Sequence, residues 1–424
     1  MKAEGKPALV PKLRFPEFRK AEGWKQVPLD IIADRVTTRN QGGDCTRVLT
    51  NSAEHGVVDQ RDYFDKDIAT AGNLEGYFVV DRGDYVYNPR ISNAAPVGPI
   101  SRNNIGLGVM SPLYTVFRFK NNSTDFYAHY FKTTCWHSYL RQVASMGARH
   151  DRMSISVGDF AAMPVPAPSP AEQKKIASCL SSVDELIAAQ ARKLDALKTH
   201  KKGLMQHLFP REGETQPRLR FPEFQNAGEW EVKMLEEIGR VIRGASPRPK
   251  GDPRYYGGSV PRLMVQDVTR DGKWVTPQID SLTKEGAKLS RPCPAGTLTI
   301  VCSGVVGVVS FLAVDACIHD GFLALVDINE SLASKDFLFH RLSTLREQFE
   351  RGATHGGVFT NLTTTGVEQL EIAFPSPAEQ LRIASCLTAI DDLIATQTQK
   401  LEALKTHKKG LMQQLFPSPE ENEH

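Results

Sequence analysis

Ala171–Pro210 reads AEQKKIASCLSSVDELIAAQARKLDALKTHKKGLMQHLFP, and Ala378–Pro417 reads AEQLRIASCLTAIDDLIATQTQKLEALKTHKKGLMQQLFP. The two copies lie 207 residues apart and are identical at 29 of 40 positions. A shorter copy precedes each half: PKLRFPEF at Pro11–Phe18 and PRLRFPEF at Pro217–Phe224, followed at the same spacing by Trp24 and Trp230. Between the copies lie two stretches of about 140–150 residues that barely resemble each other. A duplicated frame around unlike inserts is the organisation of a chain that reads two different things at a set separation.

The repeated stretches are helices. Ser169-Pro170-Ala171-Glu172 and Ser376-Pro377-Ala378-Glu379 place Ser at the cap, Pro at the first helical position and Glu three residues after the cap, the pattern of a capping box. Apolar spacing then alternates three and four. The first seam is Ile176, Leu180, Val183, Ile187, Gln190, Leu194, Leu197, Lys201, Leu204 and Leu208. The second is Ile383, Leu387, Ile390, Ile394, Gln397, Leu401, Leu404, Lys408, Leu411 and Leu415. Such heptads pack helix on helix, and the Gln and Lys in each seam are expected to fix register. Gly203 and Gly410 are expected to kink or shorten the rods. Because the first helix delivers the chain to the second insert, a helix pair sharing one seam must run antiparallel. Leu415-Phe416-Pro417 should then lie near Pro11–Phe18, and Leu208-Phe209-Pro210 near Pro217–Phe224. The expected class is α+β: two α/β inserts joined by two long antiparallel coiled-coil helices in a pseudo-twofold repeat. The expected boundaries are 1–163 and 211–373 for the inserts, and 164–210 and 374–424 for the helical regions.

Each insert carries short β-rich runs between Gly, Asn and Pro turns. They are Gly76–Val80, Asp84–Tyr87 and Tyr114–Phe119 in the first, and Val260–Val265, Gly296–Val301, Val305–Val314 and Gly321–Val326 in the second. Asp125–Val143 and Ser334–Arg351 read as amphipathic helices at equivalent places, so the inserts are expected to share a fold. Seven scattered cysteines with no metal spacing fit reduced, structural thiols. No apolar run is long enough to span a bilayer, and the first residues lack a signal-peptide core, so a cytoplasmic location is expected.

Charge is spread thinly: 21 basic against 17 acidic residues over 1–163, and 19 against 21 over 211–373. Nucleic-acid binding would therefore act through local patches, or with a more basic partner supplying much of the phosphate contact. In the second insert Arg240, Arg243, Arg248, Lys250, Arg254 and Arg262 occur among Tyr255 and Tyr256, with Asp252 to offset them, and Gln266 follows. In the first, Arg141, Arg149, His150 and Arg152 cluster, while Arg90 and Arg102 flank ISNAAPVGPIS; the second insert's counterpart, RGATHGGVFTN, holds Arg351, His355 and Asn361. The candidate DNA contacts are Arg90, Arg102, Arg149, Arg152, Arg243, Arg248, Lys250, Arg254, Tyr255, Arg262, Gln266 and His355. Nucleotide, hydrolase and metalloprotease motifs are missing, and Asn88-Pro89-Arg90 falls short of an amino-methyltransferase tetrapeptide, which leans the chain towards recognition.

The chain resembles the specificity subunit of type I restriction-modification systems. The resemblance rests on Pro170–Ala177 and Pro377–Ala384, the LKTHKKGLMQ blocks Leu197–Gln206 and Leu404–Gln413, and the openings Gly23-Trp24 and Glu229-Trp230. Tyr255-Tyr256-Gly257-Gly258 leading to Val265-Gln266-Asp267-Val268 also looks like the start of a target-recognition domain. The resemblance implies two target-recognition domains reading an asymmetric, bipartite double-stranded DNA site, with no catalysis and no cofactor of their own. It further implies docking of two adenine-N6 methyltransferase subunits that use S-adenosylmethionine, and restriction subunits that use ATP and Mg can join. Two other readings stay open: a non-DNA coiled-coil scaffold, and an enzyme with embedded recognition domains.

Overall fold

Two helices of 39 residues each, Pro170–Leu208 and Pro377–Leu415, carry the repeat in the computed structural model of the chain. The residues it describes are 9–63, 74–121, 124–146, 151–352, 354–356 and 359–417. Both helices start where Ser and Pro dictate: the Ser169 hydroxyl accepts from Glu172 N at 3.3 Å, and Ser376 from Glu379 N at 3.4 Å. The other half of the expected capping box differs. The Glu172 carboxylate is held by the Arg14 guanidinium (Nε–Oε1 2.7 Å, Nη2–Oε2 2.8 Å). Glu379 is held in the same way by Arg220, at 2.8 and 2.7 Å. A charged fork offering two parallel donors is a stronger partner for a carboxylate than one backbone amide. Gln173 and Gln380 complete the pattern by donating to Pro168 O (2.9 Å) and Pro375 O (3.0 Å). Each residue of Ala-Glu-Gln after the first thus has a bond that fixes the helix to its own lead-in. Contrary to expectation, both helices continue through Gly203 and Gly410. Nothing lies within 4 Å of a Cβ built there, so each glycine costs only its intrinsic propensity, about 1 kcal/mol.

The chain forms two compact units, residues 1–191 with 400–424, and residues 192–399. In the first unit an antiparallel sheet is ordered Ala33–Arg35, Thr115–Phe119, Tyr85–Tyr87, Ile100–Arg102. Its core is aromatic: Tyr85 meets Phe119 edge-on at 5.0 Å, and Phe119 stacks on Tyr127 at 4.3 Å. Trp24 is buried in the same cluster, and Phe416 from the end of the second long helix lies 5.3 Å from Phe126. The expected helix Asp125–Val143 is two, Thr124–Tyr130 and His137–Val143. Between them the Thr133 hydroxyl donates to Tyr130 O at 2.7 Å, a local bond that competes with helix continuation.

The second unit repeats the order: Arg240–Arg243, Phe322–Val326, Leu298–Val301, Val309–Leu312, with Trp274–Val275 added in parallel. A second sheet runs Asp280–Leu282, Tyr256–Leu263, Ala316–Ile318, Arg291–Cys293. The expected strand Val305–Val314 begins only at Val309, because Gly304 and Gly307, both at φ 81°, turn the backbone before it. The expected helix Ser334–Arg351 breaks at Leu345 into Lys335–Thr344 and Arg346–Gly352. Phe209 from the end of the first long helix packs 5.6 Å from Phe337 and 6.5 Å from Trp230.

The seam residues Ile176, Leu180, Val183, Ile187, Leu194, Leu197, Ile383, Leu387, Ile390, Ile394, Leu401 and Leu404 are all buried or half-buried. In the first unit Leu13 N–H, next to Arg14, bonds Gln414 O at 3.0 Å, while further along the first helix Asp184 pairs with Lys408 at 2.5 Å. In the second unit Leu219 N–H bonds His207 O at 2.9 Å, and Lys201 pairs with Asp391 at 2.5 Å. In each unit, then, the two long-helix segments run antiparallel, and the seam lysines bind repeat-equivalent aspartates. No helix among the described residues is long and apolar enough to cross a membrane. The seven cysteines are thiols rather than disulfides, and burial pushes the Cys293 thiol up to about 11.

Two buried histidines repeat the symmetry. His129 Nε2 lies 3.2 Å from Ser181 Oγ, and His340 Nε2 3.2 Å from Thr388 Oγ1. Burial lowers His129 to about 4, with Lys132 and Lys408 adding to the effect; it lowers His340 to about 3, with Lys201 and Lys273 adding. Both rings are neutral when folded and gain a proton on unfolding below their ordinary value of about 6.5. Their contribution to stability is therefore complete above about pH 6.5 and is lost as pH falls towards about 4 for His129 and about 3 for His340, by about 1.4 kcal/mol per unit of depression. Urea denaturation at about pH 7.5 and about pH 5 should show this loss, and His129→Gln should make the dependence shallower. An unaltered dependence would remove His129 from the account.

Candidate nucleic-acid interface

In the second unit the basic run folds as a pinned loop, 244–255, between strands Arg240–Arg243 and Tyr256–Leu263. Gly244 passes so close to the chain that an added Cβ would sit 2.1 Å from His319 O. Ser246 Oγ donates to Asp320 Oδ1 at 2.6 Å and accepts from Arg262 Nη2 at 2.6 Å. The Tyr256 hydroxyl donates to Pro247 O at 2.8 Å. Arg262, only 5% exposed, gives its other terminal nitrogen to Asp280 at 2.5 Å and lies 5.4 Å over the Tyr256 ring. The structure therefore places Arg262 beneath the loop, where it holds the loop's shape and presents no charge outward. Arg243 is exposed, and its guanidinium donates to Asp320 O (3.2 Å) and Leu362 O (3.4 Å).

The outward set is Arg248, Lys250 and Arg254 with half-buried Tyr255. Arg248 is exposed, 3.7 Å from Asp320. Lys250 is exposed and has no partner among the described residues. Arg254 pairs with Asp252 at 2.7 Å, which holds that carboxyl below the usual carboxylate range, and lies 5.2 Å over the Tyr255 ring. Gln266 is exposed on the helix Val265–Asp271, away from this loop in sequence. His355 lies on the strand Thr354–Gly356, but its side chain and that of Asn361 fall outside the described set; Arg149 and His150 lie outside the described residues altogether. Arg351 is exposed and pairs with Glu212 at 2.6 Å.

In the first unit Arg90 and Arg152 meet through a backbone bridge on the wall of a cleft of about 660 Å³. Arg90 is exposed, with Asp151 at 3.6 Å. Arg102 is not there; it pairs with Asp125 at the sheet edge. The rest of the cleft is built by residues that the sequence did not single out, chiefly the amides Asn51, Gln60, Asn88 and Asn93 together with Thr50 and Leu113. A run of polar residues beside turn-rich ISNAAPVGPIS was the available signal.

The LKTHKKGLMQ blocks form a third feature. In the first unit Lys132, Lys405, Lys408, Lys409, Met412 and Phe416 line a groove of about 660 Å³. In the second, Lys198, Lys201, Lys202, Met205, Phe209 and Arg341 line its counterpart, of about 620 Å³. Lys198, Lys202, Lys405 and Lys409 are exposed, so packing does not explain why these ten-residue blocks are identical.

The chain matches the Type I restriction modification DNA specificity domain over residues 63–199 and again over 227–406. It is 30% identical, over 269 residues, to a protein of Methanocaldococcus jannaschii assigned as the MjaX type I restriction enzyme specificity subunit, covering 63% of this chain and 61% of that one. It is 25% identical to the MjaIX specificity subunit of the same organism over 180 residues, 42% of this chain and 41% of that relative. The matched region thus spans about three-fifths and two-fifths of these relatives' lengths. The fold is similar to that of the S subunit of a Type-I restriction-modification system from M. genitalium, with a TM-score of 0.57, 15% identity, and coverage of 96% of this chain and 99% of that one.

Arg262→Met should unpin the loop. Removing Arg262 leaves Asp280 without its charge partner and Ser246 Oγ without a donor, and we expect a loss of about 2–3 kcal/mol in denaturant unfolding. Limited proteolysis should cut within 244–255 faster than in the parent chain, and equal cutting rates would contradict the pinning.

Proposed function

The chain belongs to the type I restriction-modification DNA specificity family, and from that membership we propose that it reads a bipartite, asymmetric double-stranded DNA site, one half-site per unit. The long helices fix the spacing between half-sites. The chain docks two copies of an adenine-N6 methyltransferase subunit and performs no chemistry itself. S-adenosylmethionine acts on the methyltransferase subunits, and ATP and Mg²⁺ on restriction subunits where these join. The observation that carries this reading is the contrast between frame and loops. The frame is duplicated bond for bond, from Arg14–Glu172 and Arg220–Glu379 to Asp184–Lys408 and Asp391–Lys201. The polar and basic loops built on it differ. Identical frames suit identical partners, and unlike loops suit unlike half-sites.

The duplicated lysine grooves are the proposed docking places. The purified chain, its modification subunit and S-adenosylmethionine should methylate adenine at one two-part sequence, whereas the chain alone should methylate nothing. Methyl transfer by the chain alone would overturn the non-catalytic reading. Reversing charge at Lys405 and Lys409 should lower the complex from two modification subunits to one by native mass spectrometry. Retention of both would place docking elsewhere.

Replacing Arg248, Lys250 and Arg254 by Ala should weaken DNA binding with little change of sequence preference. The slope of log affinity against log salt should fall by about 0.9 for each phosphate no longer neutralised. An unchanged slope would make the loop ordinary solvated surface.

A further inference from the structure

The cleft of the first unit divides its polar side chains into two sets. On its floor the side-chain amide donors are spent, while the Asn51 Oδ1 acceptor is buried with no partner among the described residues. Asn51 Nδ2 donates to Val86 O at 2.7 Å and Pro99 O at 3.1 Å, and Asn88 Nδ2 donates to Asn51 O at 2.9 Å. Thr50 Oγ1 lies 3.0 Å from the Tyr114 hydroxyl. Gly98, at φ 79°, backs this floor so closely that a Cβ would stand 2.0 Å from Asn88 O. The floor is therefore rigid and specified.

On the rim the side-chain amides of Gln60 and Asn93 have no partner among the described residues, although their backbones are held. Gln60 N–H bonds Val48 O at 2.9 Å, and Asn93 lies in a turn closed by Ser92 N to Ala95 O at 3.0 Å and the reverse bond at 3.1 Å. Leu113, 60% exposed, adds an apolar contact. Arg90, with Asp151 at 3.6 Å, and Arg152 stand opposite Glu54, the one acidic side chain among the described lining residues. Held backbones with unspent amides over a rigid floor are what a reading site needs and what a structural polar cluster does not show.

We infer that Gln60 and Asn93 determine specificity for adenine in the half-site taken by the first unit, with Leu113 against a thymine methyl and Arg90 and Arg152 on phosphates. A carboxamide presents a donor and an acceptor side by side, matching adenine N7 and N6–H in the major groove. This inference rests on the function proposed above and names the residues through which one unit performs it.

The test uses the full chain produced with its modification subunit, in parent, Gln60→Ala and Asn93→Ala forms, with methylated adenines mapped across the host genome. Each variant should keep one half-site and the spacer intact while losing about ten- to a hundredfold discrimination at one adenine of the other half-site. The intact half-site reports that the chain is folded. Gln60→Glu, which can accept from cytosine N4–H but cannot donate to adenine N7, should shift preference towards cytosine at that position. An unchanged motif in both alanine variants overturns the inference and leaves DNA reading by the family standing. So does a change confined to the other half-site, or a loss spread equally over both. Absence of any motif for the parent chain would instead overturn the proposed function.

Discussion

The rest of each unit depends on one buried ion pair, Arg14 with Glu172 in the first and Arg220 with Glu379 in the second. The side chains of Arg14 and Glu172 are 8% and 2% exposed, and the pair is bidentate. Burial of two charges brings little net stability, because desolvation offsets most of the attraction. What it brings is placement. The glutamate sits on the first turn of a long helix, and the arginine is bound in turn to the carbonyl of Ala21, or of Ala227 in the second unit. Both lie just before the tryptophan that enters the insert core. A shift of the helix by one residue would leave an uncompensated charge in a dry site, which costs several kcal/mol. Helix, lead-in and insert are locked to one register.

The lysine–aspartate pairs act further along the same helices. Leucine seams alone tolerate sliding by a heptad, since every knob meets an equivalent hole. A lysine paired with a carboxylate on the opposing segment does not. Placing Asp184 against Lys408, and Lys201 against Asp391, repeats one register twice, because each pair is the image of the other under the 207-residue repeat. Electrostatics here sets alignment, while the apolar seam supplies most of the burial.

The helices were legible because period, cap and stop all lie within one contiguous stretch. The seam lysines were legible as register devices, but their partners were not, since Asp184 and Asp391 each lie one position past an apolar seam residue. Arg14 and Arg220 could be seen only as copies; nothing local says that a guanidinium in a proline-bounded segment will reach a glutamate more than 150 residues away. The basic loop shows the same limit more sharply. In sequence Asp252 alone offsets its charges, yet the fold brings Asp280 to Arg262 and Asp320 to Arg248 from distant parts of the chain, so Arg262 becomes a support. The amide cleft escaped because its Asn and Gln side chains come from a strand (Asn51), a helix start (Gln60) and the loop after Tyr87 (Asn88, Asn93), carry no period and meet only in the fold.

The two inserts share a strand order but solve the surface problem differently. The second unit offers a loop whose outward groups are cations beside an aromatic ring, the chemistry of phosphate and stacking contacts. The first offers amides over a rigid floor, the chemistry of base edges. Such surfaces respond to different variables: charge contacts weaken with salt, whereas amide contacts depend on shape and on keeping a fixed backbone beneath them. Each insert also closes its own core around its own tryptophan, with the short strand pairs Lys25–Pro28 with Pro164–Ala167 and Glu231–Met234 with Glu371–Phe374 at its base. Loops anchored in separate cores can change without disturbing the duplicated frame, and this is the physical reason one frame accommodates two inserts so unlike in sequence.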